Sequence, residues 1–115
     1  MKRRVRVGKS QYAGEFEQVV MLALARVGDG AYSVPVHAEI HARTGRDVAI
    51  ASVYVTLSRL ENKGLVASVS EARAEATGRP RRFYSLTAAG WESLQRSREM
   101  IQTLWEGLDA PEVQR

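Results

Sequence analysis

The sequence predicts a mainly helical fold carrying one small antiparallel β-hairpin, on three observations. Three short segments with helical apolar spacing follow one another before residue 64, and glycines at 28, 45 and 64 close them. Two strand-like runs, LVASVS at 65–70 and RFYSL at 82–86, then flank a loop. A long final helical run follows Thr87, which reads as its N-cap.

The first helix is EFEQVVMLALARV, Glu15 to Val27, with Phe16, Val19, Val20, Ala23, Leu24 and Val27 on one stripe. Met21 and Leu22 widen that stripe until the helix is apolar over much of its circumference, a pattern of burial on more than one side. A second helix is expected from Val34 to Thr44, capped by Ser33, with Pro35 in its first turn and Gly45 as its left-handed terminator. The third, Ala51 to Lys63, places Val53, Leu57 and Leu60 on an inner face. Its other side carries Tyr54, Val55, Ser58, Arg59 and Asn62.

The chain has 115 residues and no cysteine, which excludes disulfides and thiolate chemistry and makes a reducing cytoplasm the expected location. There is no apolar run near the ~18 residues that a membrane span needs. The net charge of +4 is unevenly placed. Residues 1–14 carry five basic groups and no acid, and residues 76–90 carry three and no acid, on a body that is mildly acidic. The second cluster is ATGRPRRFYSL at 76–86, a turn in which one glycine already satisfies the backbone and the arginines need another explanation. A polyanion partner supplies one.

Three helices followed at once by a hairpin with a basic tip is the layout of a winged helix-turn-helix. In that architecture the third helix enters the major groove of duplex DNA, about 12 Å wide, and the hairpin, or wing, lies along a neighbouring backbone or minor groove. The candidate DNA-binding residues on the third helix are Ser52, Tyr54, Val55, Thr56, Ser58, Arg59 and Lys63. Arg59 can fork onto a guanine, and Val55 either meets a thymine methyl or is a lone surface valine. Tyr54 donates to a phosphate or packs at the base of the helix; Ser58 and Lys63 are phosphate candidates, Lys63 with simple solvation as its alternative. On the wing the candidates are Arg79, Arg81 and Arg82, with Pro80 stiffening the tip.

The motifs VYVTLSRLENKGLV at 53–66 and GRPRRFYSLTAAG at 78–90 resemble the recognition-helix and wing signatures of PadR-like transcriptional regulators. The resemblance extends through GEFEQVVMLALARVGDGAY at 14–32 and covers roughly residues 14–108. Tyr32-Ser33 stands where such proteins often carry Tyr-Gly, and Ala51, Ser52 and Val53 replace a more usual glycine-containing turn before the recognition tyrosine. The resemblance implies a homodimer that binds an inverted-repeat operator and represses, with a small-molecule effector in some members. The single closing helix resembles the subgroup with a compact C-terminus.

The resulting division is a basic arm at 1–13, a winged helix at 14–87, a dimerisation helix at 88–108 and a tail at 109–115. Trp91, Leu94, Arg98, Ile101, Trp105 and Leu108 alternate spacings of three and four, a seam of about two and a half heptads. With Phe16 and Met21 of the first helix, Trp91, Leu94, Ile101, Trp105 and Leu108 are the expected dimer interface. Arg98 interrupts the seam and either pairs with Glu15, Glu17 or Glu99 or extends to water.

No cofactor or catalytic set is expected. His37 and His41 lie one helical turn apart, but Glu39 does not fall where the base of an H-E-x-x-H site belongs and no third ligand is evident. A winged helix that binds RNA or a protein partner is the alternative to one that binds operator DNA.

Overall fold

The computed structural model describes residues 12–71 and 81–112. Within them the chain forms α1 (Glu15–Val27), α2 (Ser33–Thr44), α3 (Ile50–Asn62), β1 (Val66–Glu71), β2 (Arg81–Leu86) and α4 (Ala88–Trp105). The expected fold class, three helices, a two-stranded antiparallel hairpin and a closing helix, is the one observed.

Local chemistry sets each boundary. At the start of α1 the Gly14 amide donates to Glu17 Oε1 at 3.1 Å, so a carboxylate satisfies one of the orphan donors there. α2 begins one residue earlier than the sequence suggests. Tyr32 is its N-cap, and Ser33 and Pro35 both lie inside the first turn, where proline's missing N–H costs nothing. Gly45, in the left-handed region at φ 73°, ends α2, and its amide donates to the His41 carbonyl. α3 is displaced by one residue from the expected span. β2 starts one residue earlier than expected, so Arg81 joins Arg82 in the strand; the ladder runs from Val66 opposite Leu86 to Glu71 opposite Arg81.

One core joins these elements: Val20, Met21 and Leu24 of α1, Val36 and Ile40 of α2, Val53, Leu57 and Leu60 of α3, and Val66 and Tyr84 of the hairpin. The Tyr84 amide donates to the Ala31 carbonyl at 2.9 Å, which sets the α1–α2 connection alongside β2. β2 is therefore bonded to β1 along one edge and to this connection along the other.

The LTAAG stretch has a mechanical explanation. Thr87 Oγ1 accepts from the Gly90 amide at 3.0 Å, capping α4, and donates to the Gly64 carbonyl at 2.7 Å. The Thr87 amide also donates to the Leu65 carbonyl. A Cβ on Gly90 would collide with the Leu65 carbonyl oxygen, so glycine is what lets α4 start against the end of the α3–β1 connection.

α4 separates the members of the expected seam: Trp91, Ile101 and Trp105 are exposed, whereas Leu94 is buried. The residues it buries in its own domain are Gly90, Ser93, Leu94 and Ser97. At spacings of four and three that stripe runs 90, 94, 97 and continues as Ile101 and Leu104, both exposed. Trp91, Arg98 and Trp105 lie on its flank, and Leu108 falls beyond the helix, past Gly107. Leu94 is core of its own protomer, and Met21, with no exposed surface, is core as well; neither can line an interface.

Candidate nucleic-acid interface

The amphipathic pattern of α3 turns Val53, Thr56, Leu57 and Leu60 inward and leaves Ala51, Ser52, Tyr54, Val55, Arg59 and Asn62 exposed. Thr56, at 4 % exposure, packs inward at the margin of the core and cannot reach a base edge, which corrects its place among the candidate readers. Tyr54 and Val55 are half exposed, and Ser58 is partly covered. Ala51 and Asn62 join the outward face; the spacing in the sequence already placed Asn62 there, while Ala51 offers no chemical signal.

Each flank of that face is tied to a neighbouring element. On one side Lys63 Nζ bonds both carboxylate oxygens of Glu17, at 2.8 and 3.0 Å. Burial pushes the Glu17 carboxyl up, but the Lys63 hydrogen bond and charge, the Gly14 amide and the nearby Arg59 charge outweigh it and hold the group below its ordinary value. Lys63 is thus engaged within the chain, which weakens its candidacy for a phosphate. Glu17 has no carboxylate left to offer Arg98 on the same terms.

On the other side Ser68 Oγ donates to Glu61 Oε2 at 2.7 Å and accepts from Arg82 Nη1 at 2.9 Å. Tyr84 lies beneath this group, and burial, with Tyr54 and Glu61 nearby, pushes its hydroxyl above the usual phenol value. Tyr54 therefore stands at the base of the wing, with half its surface still open.

Phe16, expected at the dimer interface, is half-buried and borders α3. With Ala51, Ser52, Val55, Thr56 and Arg59 it lines a shallow depression of about 380 Å³ beside α3. Arg46, in the α2–α3 connection, lies over the Phe16 ring at 5.4 Å and donates to Glu15 Oε2 at 2.7 Å, and that hydrogen bond holds the Glu15 carboxyl below its ordinary value. Arg46 was not legible as a member of this surface because its proximity to α3 is set by the turn before it.

Arg81 lies over the Tyr32 ring, 4.3 Å from its centroid, on the side of the hairpin opposite Arg82. Arg79 lies outside the described residues. His37 Nε2 is 2.7 Å from the Val48 carbonyl, so that nitrogen carries the proton and ties α2 to the connection before α3. Among the described residues no group of three acidic, histidine or cysteine side chains is placed to hold a metal ion, and no helix is long and apolar enough to cross a membrane.

Comparison with known proteins agrees with this geometry. Residues 21–96 match the transcriptional regulator PadR-like family. No curated protein matches the chain. Among solved structures, a PadR family transcriptional regulator from Eggerthella lenta DSM 2243 is 27 % identical, with a TM-score of 0.61 over 78 % of this chain and 77 % of that one. A PadR-like transcription factor from Bacteroides fragilis is 25 % identical, with a TM-score of 0.66 over 79 % and 84 %. RosR of H. salinarum, 20 % identical with a TM-score of 0.65 over 89 % and 84 %, shares the fold. With two thirds of its length matched by the family and the winged-helix order of its elements, this chain belongs to the PadR-like family of transcriptional regulators.

Proposed function

We propose that the chain is a sequence-specific regulator, acting as a repressor, that binds an inverted-repeat DNA operator as a homodimer. The observation that carries this reading is the α3 surface: an amphipathic helix fixed on both flanks by Glu17–Lys63 and Glu61–Ser68, with Ser52, Tyr54, Val55 and Arg59 left open between them. A helix held this rigidly enters a major groove at little entropic cost.

In this reading Arg59 and Ser52 read base edges and Val55 meets a thymine methyl, with Ser58 and Tyr54 on phosphates. The wing arginines, Arg79, Arg81 and Arg82, address the backbone or minor groove. Residues 1–13, with five basic groups and no acid, supply a further segment suited to a polyanion.

Dimerisation rests on α4. The stripe that its first half buries in its own domain continues over its second half as exposed Ile101 and Leu104, flanked by Trp105 and Met100. A second copy covers that surface and sets two α3 helices about one helical turn of DNA apart.

The test is a selection from random duplexes with purified protein, paired with sedimentation. Enrichment of an inverted repeat by a dimer is expected. No enrichment from duplex DNA, with enrichment instead from a parallel pool of random RNA, rejects the reading. Bound at ~6–10 phosphates, the dimer should show a log–log salt slope of about −5 to −9.

A further inference from the structure

We infer that Tyr32, in the α1–α2 connection, is a positioning residue for DNA: its ring is the platform that aims Arg81 of the wing at the phosphate backbone. The inference rests on the DNA-binding reading and extends it to a residue outside the recognition helix and the wing.

Four observations converge on Tyr32. Its ring underlies the Arg81 guanidinium at 4.3 Å from the centroid. The ring edge meets Phe83, two residues along the same face of β2, with centroids 5.8 Å apart and planes at 82°. The neighbouring Ala31 is fully buried and its carbonyl accepts from the Tyr84 amide at 2.9 Å, so the backbone that carries Tyr32 is fixed to the strand that carries Arg81. Tyr32 is also the N-cap of α2, which anchors it to the helical core.

The chemistry then follows. A guanidinium stacked on a ring has one face occupied, while the N–H donors that take phosphate oxygens lie in its plane and point outward. Stacking removes rotamer freedom that a solvated arginine would lose only on binding. Because strand residues alternate, Arg82 projects to the other side, onto Ser68, which in turn bonds Glu61 of α3. The two consecutive arginines thus have separate supports: Arg82 joins the wing to the recognition helix, and Arg81 rests on the first half of the domain.

The experiment is a double-mutant cycle on full-length protein, using the duplex that wild-type protein enriches and measuring Kd at ~0.1 M salt. Arg81→Ala and Tyr32→Leu are each expected to weaken binding by about three- to tenfold, roughly one arginine–phosphate contact per protomer. The double variant should be no weaker than Arg81→Ala alone, and Tyr32→Phe, which keeps the ring, should bind as wild type does. Additive losses, or an unaltered Tyr32→Leu, overturn the inference while leaving the DNA reading intact. Wild-type protein that binds no duplex removes both. Should Tyr32→Leu not fold, the wild-type complex still decides: the Arg81 Cδ protons should be shifted upfield by the Tyr32 ring, free and bound, and random-coil positions would overturn the proposal.

Discussion

Lys63, at the end of α3, places its Nζ 2.8 Å from one carboxylate oxygen of Glu17 and 3.0 Å from the other, while Glu17 also accepts from the Gly14 amide. A carboxylate at 8 % exposure thereby joins the start of α1 to the C-terminal end of α3. Its titration has a defined sign. Because the folded chain holds this carboxyl below its ordinary value of 4.5, the stability it contributes is complete above that pH and is lost as pH falls through the lower folded value. Glu17→Gln should cost about 1–2 kcal/mol at pH 7 and flatten the acid limb of a stability–pH profile recorded by denaturant unfolding.

Gly90→Ala should destabilise the fold more than its helix propensity alone would suggest. Alanine normally favours a helix interior by up to about 1 kcal/mol, but here its methyl meets the Leu65 carbonyl oxygen, a backbone atom with no rotamer to yield. A net loss of about 1–3 kcal/mol is expected from overpacking. Thermal unfolding of Gly90→Ala beside Ala89→Ser, a change on the exposed side of the same turn, checks it.

The two halves of the α4 stripe should separate fold from assembly. Leu94→Ala, in the protomer's own core, should lower monomer stability by about 2–4 kcal/mol. Leu104→Glu, at a position 67 % exposed, should leave the protomer folded and shift sedimentation from dimer to monomer. Dimer retention by Leu104→Glu would move the interface off this stripe.

Arg59→Ala should relax preference at one base pair of each half-site, worth about 1–3 kcal/mol of discrimination, with little change at other positions. Lys63→Ala should act differently, because Lys63 is committed to Glu17: its loss should reduce stability more than it alters sequence preference. Repeating the selection with each variant distinguishes the two.

Much of this was legible in the sequence, since local rules fixed it. The α1 span, Glu15–Val27, follows from its apolar period and the glycine after it, and the Thr87 cap follows from a hydroxyl just before a helical run. The misplacements have a shared cause. Periodicity identifies an apolar stripe but not what covers it, so Met21, Leu94 and Phe16 read as interface when two of them are core and the third borders α3. On α4 the exposed Trp91 and Trp105 and the buried Gly90 and Ser97 lie on different stripes, and the side that faces the core is marked by small residues with little apolar signal. Contacts between distant segments left no local trace: Arg46 on Glu15, Arg82 on Ser68 and Arg81 on Tyr32 depend on the assembled fold.

The most direct measurement replaces Val55 with a photo-crosslinking residue and irradiates the protein on its selected duplex, with Arg26, exposed on α1 away from the α3 surface, as the comparison position. Adducts from position 55 to bases within each half-site, and none from position 26, are the expected result. Adducts from position 26 with none from position 55 would contradict the placement of α3 in the groove.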